Sequence, residues 1–221
     1  MTKTALPDAK SWDHYWGLKE SERFTKISWS KRRIMQVLGP YLKKGGKALD
    51  AGCGSGFFSK YFCDEGMDTT ALDYADEALA IAERMTQGRC HVIKRDLCVP
   101  GIKNDLSDRF DIIFSDGLLE HFTKEEQDRI FANFVSLLAP RGVIVTVVPN
   151  RFSPWELIRP VYMPGIEETP FVLSELTALN KRNGLAVLSS GGLNTFPWTY
   201  SPDPLLGNYF GMLLYTVATQ R

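Results

Sequence analysis

No stretch of this chain holds the roughly 20 consecutive apolar residues that a membrane-crossing helix requires. The first 30 residues are polar, charged and aromatic, without the apolar segment of a secretory leader. The expectation is a cytoplasmic protein with no membrane partner. Cysteine is scarce. Cys53, Cys63, Cys90 and Cys98 include no C-x-x-C pair, and the histidines lack zinc-finger spacing. No metal site is expected, and the thiols read as free and buried. Net charge is lacking too. Lys plus Arg and Asp plus Glu both number 26, which leaves no long-range field to gather a polynucleotide, so nucleic acid is not an expected partner. The basic run Lys31-Arg32-Arg33 reads as a solvated helix face.

What the chain does have is 221 residues with 44% hydrophobic composition, enough for one domain with a real core. Residues 1–28 show no clean periodicity but crowd Trp12, Tyr15, Trp16 and Phe24 together, with Trp29 just beyond. Residues 30–42 read as a helix closed by Gly45-Gly46, so 1–45 are expected to form an aromatic lid and helix ahead of a main domain at 46–221. From Lys47 short apolar runs alternate with helical stretches. Strands are expected at 47–50, 68–73, 90–95, 110–115 and 143–148. Helices are expected at 57–65, at 77–87 with Asp76 as N-cap, and at 124–138 with Thr123 as N-cap. This order implies a parallel sheet with helices on both faces, and such sheets bind ligands at the carboxyl ends of their strands. Five prolines between 149 and 170 predict an irregular lid. A helix at 173–181, a strand at 184–188 and a last strand at 209–218 follow. The segment 191–207 reads as a second lid or a long hairpin loop.

The decisive stretch is Asp50-Ala51-Gly52-Cys53-Gly54-Ser55-Gly56, between a strand and a helix in the first β-α unit. A dinucleotide loop reads G-x-G-x-x-G and sets a pyrophosphate on the helix N-terminus. Here the spacing is G-x-G-x-G, Phe57 stands where the third dinucleotide glycine would be, and Asp50 would repel a pyrophosphate. An acid there favours a ligand that carries an ammonium and a sulfonium.

This loop resembles the glycine-rich first motif of class I S-adenosylmethionine-dependent methyltransferases. The resemblance runs well over residues 46–148 and more loosely beyond. It implies a three-layer α-β-α, Rossmann-like fold around a seven-stranded sheet, mostly parallel with an antiparallel last strand. It also implies S-adenosylmethionine as cofactor, bound by Asp50, Gly52, Cys53, Gly54 and Gly56. Asp73 would take the ribose hydroxyls and Tyr74 would lie against the adenine. Asp96 would bind the adenine amino group while Leu97 packs on the ring, and Ser115, Asp116 and Leu118 would complete the site. Glu120-His121 resembles the pair typical of the branch that includes quinone-biosynthesis enzymes. Arg141 stands where the family's Leu-Lys-Pro-Gly-Gly turn carries its first glycine.

Methyl transfer from a sulfonium needs alignment and dryness more than acid catalysis. A base matters only when the acceptor has a proton to lose. His121 is the first candidate, with Tyr15, Tyr162 and Glu168 behind it. No D-P-P-Y or N-P-P-Y follows the fourth strand, which argues against exocyclic nucleobase amines. Trp12, Tyr15, Trp16 and Tyr162 suggest a covered, partly apolar pocket for a small-molecule acceptor. A protein or peptide acceptor, a non-catalytic cofactor-binding partner and a nucleotide-dependent oxidoreductase stay open as alternatives. Oligomeric state is not readable.

Overall fold

The computed structural model describes residues 9–104, 106, 108–162 and 168–221, with only the backbone at residue 9 and at 160–162. Its seven strands are β1 (Lys47–Ala51), β2 (Asp68–Asp73), β3 (His91–Lys94), β4 (Phe110–Asp116), β5 (Leu138–Pro149), β6 (Leu185–Leu193) and β7 (Leu213–Gln220). They form one sheet in the order β3-β2-β1-β4-β5-β7-β6. The first five are mutually parallel; β7 runs antiparallel between β5 and β6. This is the sheet expected, with only the last strand reversed.

Successive side chains of a strand point to opposite faces, and here both faces are covered. Phe110 and Ile113 of β4 join Ile144 and Val148 of β5 in one core with Phe131 and Phe134. Ile112 and Phe114 join Val143, Val145 and Val147 in another with Phe58 and Phe62. The first core receives α5 (Lys124–Leu137) and α7 (Leu173–Arg182). The second receives α2 (Trp29–Leu38) and α3 (Phe57–Asp64), and α4 (Asp76–Thr86) covers β2 and β3 beside them. Thr123 caps α5 as expected: its Oγ1 accepts from Glu126 N–H, and the Glu126 carboxylate accepts from Thr123 N–H.

Four expectations about the elements are corrected. The segment without periodicity holds a helix, α1 (Ala9–Gly17), followed by a 3-10 turn at Lys19–Thr25. Asp76 does not cap α4; its carboxylate pairs with Lys94, and Asp13 of α1 reaches across to accept from Glu77 N–H. The proline-rich segment contains α6 (Trp155–Tyr162), because Pro154 stands just ahead of the first turn, where a missing donor costs nothing, and Ser153 Oγ accepts from Trp155 N–H. The last strand begins at Leu213, because Pro204 starts a further helix, α8 (Asp203–Phe210), that absorbs Tyr209 and Phe210.

The basic run is not a solvated face either. Lys31 and Arg33 are 9% and 7% exposed, and only Arg32 faces water. Arg33 bonds Asp203, Asn194 and the Trp198 carbonyl, tying α2 to the start of α8. Cys53 and Cys90 are buried, Cys63 and Cys98 half-buried, and all four are free thiols. No helix among the described residues is long and apolar enough to cross a membrane.

Candidate active site

The strand order reverses between β1 and β4, and there the carboxyl ends of neighbouring strands part to leave a crevice. A cavity of about 680 Å³ opens over this point. The glycine-rich loop forms its floor. Gly54 has φ of 44°, and a Cβ there would lie 2.4 Å from the indole of Trp16, so α1 packs directly onto the loop. Gly56 has φ of 65°, and a Cβ there would lie 2.4 Å from Ala82 Cα. It therefore serves the packing of α3 on α4 and does not line the cavity. Gly52 and Cys53 do line it, with Leu118 above Gly52.

Three acids converge on this loop. Asp50 lies next to the end of β1, is 3% exposed, and accepts from Ser59 Oγ at 2.6 Å. Burial pushes its carboxyl up to about 7; Ser59 opposes this, and Asp116 and Asp73 add to it. Asp73 ends β2 and accepts three backbone N–H groups, from Gly54 at 3.1 Å, Tyr74 at 2.8 Å and Ala75 at 3.0 Å. Burial still holds it above the usual carboxylate range. Asp116 ends β4, and burial lifts it to about 6 against the pull of Lys31. None of the groups acting most strongly on Asp50 or Asp73 is a cation.

Tyr74, Asp96 and Leu97 line the same cavity. Asp96 is exposed and accepts from Cys98 N–H at 2.8 Å, a turn of its own making. Ser115 is not brought to the wall: it is 1% exposed inside β4 with an unpartnered hydroxyl. His121 is 6% exposed and sits edge-on to Trp12, ring centroids 4.9 Å apart. Trp12, Tyr15 and Trp16 form a wall with Phe24. The side chain of Tyr162 lies outside the described residues. The first lid segment does reach the cavity, through Trp155, Arg159 and Glu168, whereas no residue of 191–207 lines it.

Sequence reasoning missed Lys31, Ser59, Arg159 and Trp155. Lys31 Nζ donates to the carbonyls of Phe24 and Lys26 and lies 4.0 Å above the Phe57 ring. Burial depresses it to about 8, with Asp116 pulling it back up. Nothing local distinguishes it from Arg32. Ser59 carries a legible signal: it lies one turn into the helix that follows the loop, facing back toward Asp50.

A family model described as a methyltransferase domain matches residues 20–190. The chain belongs to this family. The resemblance to class I S-adenosylmethionine-dependent methyltransferases read from Asp50–Gly56 is thereby shown. Among curated relatives, a malonyl-[acyl-carrier protein] O-methyltransferase of Enterobacter lignolyticus is 34% identical over 98 residues, 44% of this chain and 37% of that one. A ubiquinone biosynthesis O-methyltransferase of Methylococcus capsulatus is 23% identical over 139 residues, 62% of this chain and 58% of its own. The chain thus spans less than two thirds of these relatives' length. Among solved structures, the N-methyltransferase NodS of Bradyrhizobium japonicum, in complex with S-adenosyl-L-homocysteine, superposes with a TM-score of 0.68. It is 16% identical, over 95% of this chain and 96% of that one. The fold of the methyltransferase family is therefore present over nearly the whole length.

Proposed function

We propose that this chain is an S-adenosylmethionine-dependent methyltransferase acting on a small-molecule acceptor. One observation carries the reading. Asp50, Asp73 and Asp116 gather on a glycine-rich floor at the strand switch point, and no cation dominates the first two. Buried carboxylates in that state call for a cationic ligand. S-adenosylmethionine fits them, since it brings an ammonium and a sulfonium. Asp50 with Gly52, Cys53 and Gly54 would hold the methionyl end, Asp73 the ribose, and Tyr74, Asp96 and Leu97 the adenine.

When bound, the cofactor supplies an electrophilic methyl on a leaving group that departs neutral, so no acid is needed to expel it. The chain's own residues have two tasks. The wall of Trp12, Tyr15, Trp16 and Phe24 keeps water out, and the loop and strand-end acids fix orientation. Fixed orientation can remove about 7–11 kcal/mol of a bimolecular barrier. The cavity, at about 680 Å³, falls in the size range of small-molecule sites. Trp12 and Trp16 are spent on its wall, which disfavours them as a docking surface for a protein acceptor. The names of the curated O-methyltransferases point to small or carrier-bound acceptors in related chains.

Calorimetric titration of cofactor-stripped protein with S-adenosylmethionine, and separately with S-adenosylhomocysteine, tests the first half. Micromolar binding is expected, and its absence for both in folded protein overturns the reading. A mass-spectrometric acceptor screen, small molecules against intact protein, tests the second half.

A further inference from the structure

The cavity is also lined by side chains to which the proposed cofactor contacts assign no role. Glu120, His121 and Glu168 each place one oxygen or nitrogen within 4.8 Å of the others. Glu120 is 2% exposed, lines the cavity, and its Oε2 has no hydrogen-bond partner. Its backbone carbonyl accepts from Thr169 N–H at 2.8 Å, which holds Glu168 next to it. Burial, then the charge of Glu168, keeps Glu120 well above the usual carboxylate range. Burial lifts Glu168 to about 7, with Arg159 opposing and Glu156 reinforcing. Arg159 lies 3.4 Å from Glu168 and 3.2 Å from Glu156, so one guanidinium is divided between two carboxylates.

The chemistry asked of a ligand here is narrow. Burial and Glu168 keep Glu120 protonated in the ligand-free protein, and a cationic donor on its bare oxygen is what would let it ionise and accept. Two buried carboxylates side by side cannot both ionise unless a cation joins them. A carboxylate or phenolate acceptor would add a further negative charge. The rings of Trp12, Tyr15, Phe122 and Trp155 line the same cavity, and aromatic faces favour cations.

We propose that the methyl acceptor is a primary or secondary amine, which enters as its ammonium and donates to Glu120 and Glu168. This rests on the small-molecule methyltransferase reading above. Glu168 takes one ammonium proton and so frees the nitrogen lone pair. That pair forms the new N–C bond as the S–C bond of the methyl donor breaks, its electrons staying on sulfur. The product is the methylated ammonium, and the proton rests on Glu168 until solvent removes it. Glu168 is thus the catalytic base. Arg159 sets its basicity, and Tyr15, His121, Asp116 and Glu156 are the other titratable groups around the pair.

The test is calorimetry on protein saturated with S-adenosylhomocysteine. The probes are a panel of aryl- and alkylamines led by phenethylamine, each with its alcohol and carboxylate counterpart. An amine should bind about tenfold or more tightly than its alcohol or acid, as expected for charged hydrogen bonds. Glu120→Gln and Glu168→Gln should each erase that preference while S-adenosylhomocysteine affinity stays the same. Glutamine matches the shape of a protonated glutamate, so both variants should fold. With S-adenosylmethionine, mass spectrometry should show the methylated amine, and Glu168→Gln should lose it. Failure of S-adenosylhomocysteine to bind removes the underlying reading and the proposal with it. Intact cofactor binding with no preference for any amine overturns the proposal alone. So does binding of Mg²⁺ or Zn²⁺ that depends on Glu168 and excludes the amines.

Discussion

Gly54 and Gly56 are separated only by Ser55 and answer to different neighbours, one to the Trp16 indole and the other to Ala82. The second contact involves backbone on both sides and cannot relax by a rotamer change. Gly56→Ala should therefore combine a left-handed φ with overpacking between α3 and α4. The two together cost roughly 2–5 kcal/mol, readable by urea denaturation. A loss below about 0.5 kcal/mol would show that α4 yields freely. Asp73 needs a gentler change than alanine, because its carboxylate organises three backbone donors as well as facing the cavity. Asp73→Asn keeps one carbonyl for Tyr74 and Ala75 and gives up the contact to Gly54. Affinity for S-adenosylmethionine should fall about tenfold or more, the scale of a lost charge-assisted bond, in a folded protein. Calorimetry showing wild-type affinity would remove Asp73 from the cofactor site.

At the scale of elements, what was legible depended on how local the cause was. The β-α alternation and the Thr123 cap of α5 are written in consecutive residues, and they appear where the sequence put them. The sheet's C-terminal half was harder. Pro204 and the contact of Gly207 with Gly192 make a helix of residues that read as strand or loop, and that contact joins positions far apart in the chain. α1 hid because its aromatic side chains serve the cavity wall while Asp13 serves α4, leaving no single apolar stripe. Arg33 is the clearest case of a residue whose role lies elsewhere in the chain. Its partners are Asn194, Trp198 and Asp203. The ion pair is nearly buried, with side-chain exposures of 9% and 14%. Arg33→Ala would take the guanidinium from Asp203, which keeps Ser201 and the N–H groups of Asn194 and Thr195, and would free Asn194 Oδ1 and the Trp198 carbonyl; the loss should be about 1–3 kcal/mol. For a chain of this length that is roughly 2–12 °C in Tm. A shift under about 2 °C in a thermal scan would mean that α8 is held without α2.

For the whole molecule, the cavity acids make folding and ligand binding answer to pH in opposite senses. Asp50 is lifted to about 7, Asp116 to about 6 and Glu168 to about 7, against ordinary values of 3.8 and 4.5. Between those limits the folded chain binds more protons than the unfolded one, so stability rises as pH falls from about 7 toward about 4. Asp203 is shifted the other way: burial alone would raise it, but Ser201 and the N–H groups of Thr195 and Asn194 hold it down. Its stabilisation is present above its ordinary value and is lost only as pH drops below that, outside the window. Lys31, depressed to about 8, acts above it. The ligand-free protein should accordingly melt at a higher temperature at about pH 5 than at about pH 8. A cationic ligand needs the same carboxylates ionised, so S-adenosylmethionine should bind more tightly at about pH 8 and release protons as it binds. Calorimetry in buffers of different ionisation enthalpy counts those protons. Asp50→Asn should lower the count and flatten the pH dependence of affinity, because the amide has no proton to give up. A proton count of zero for the wild-type chain would mean that the acids are already ionised without the ligand, and their burial would then have to be offset by a cation other than the cofactor.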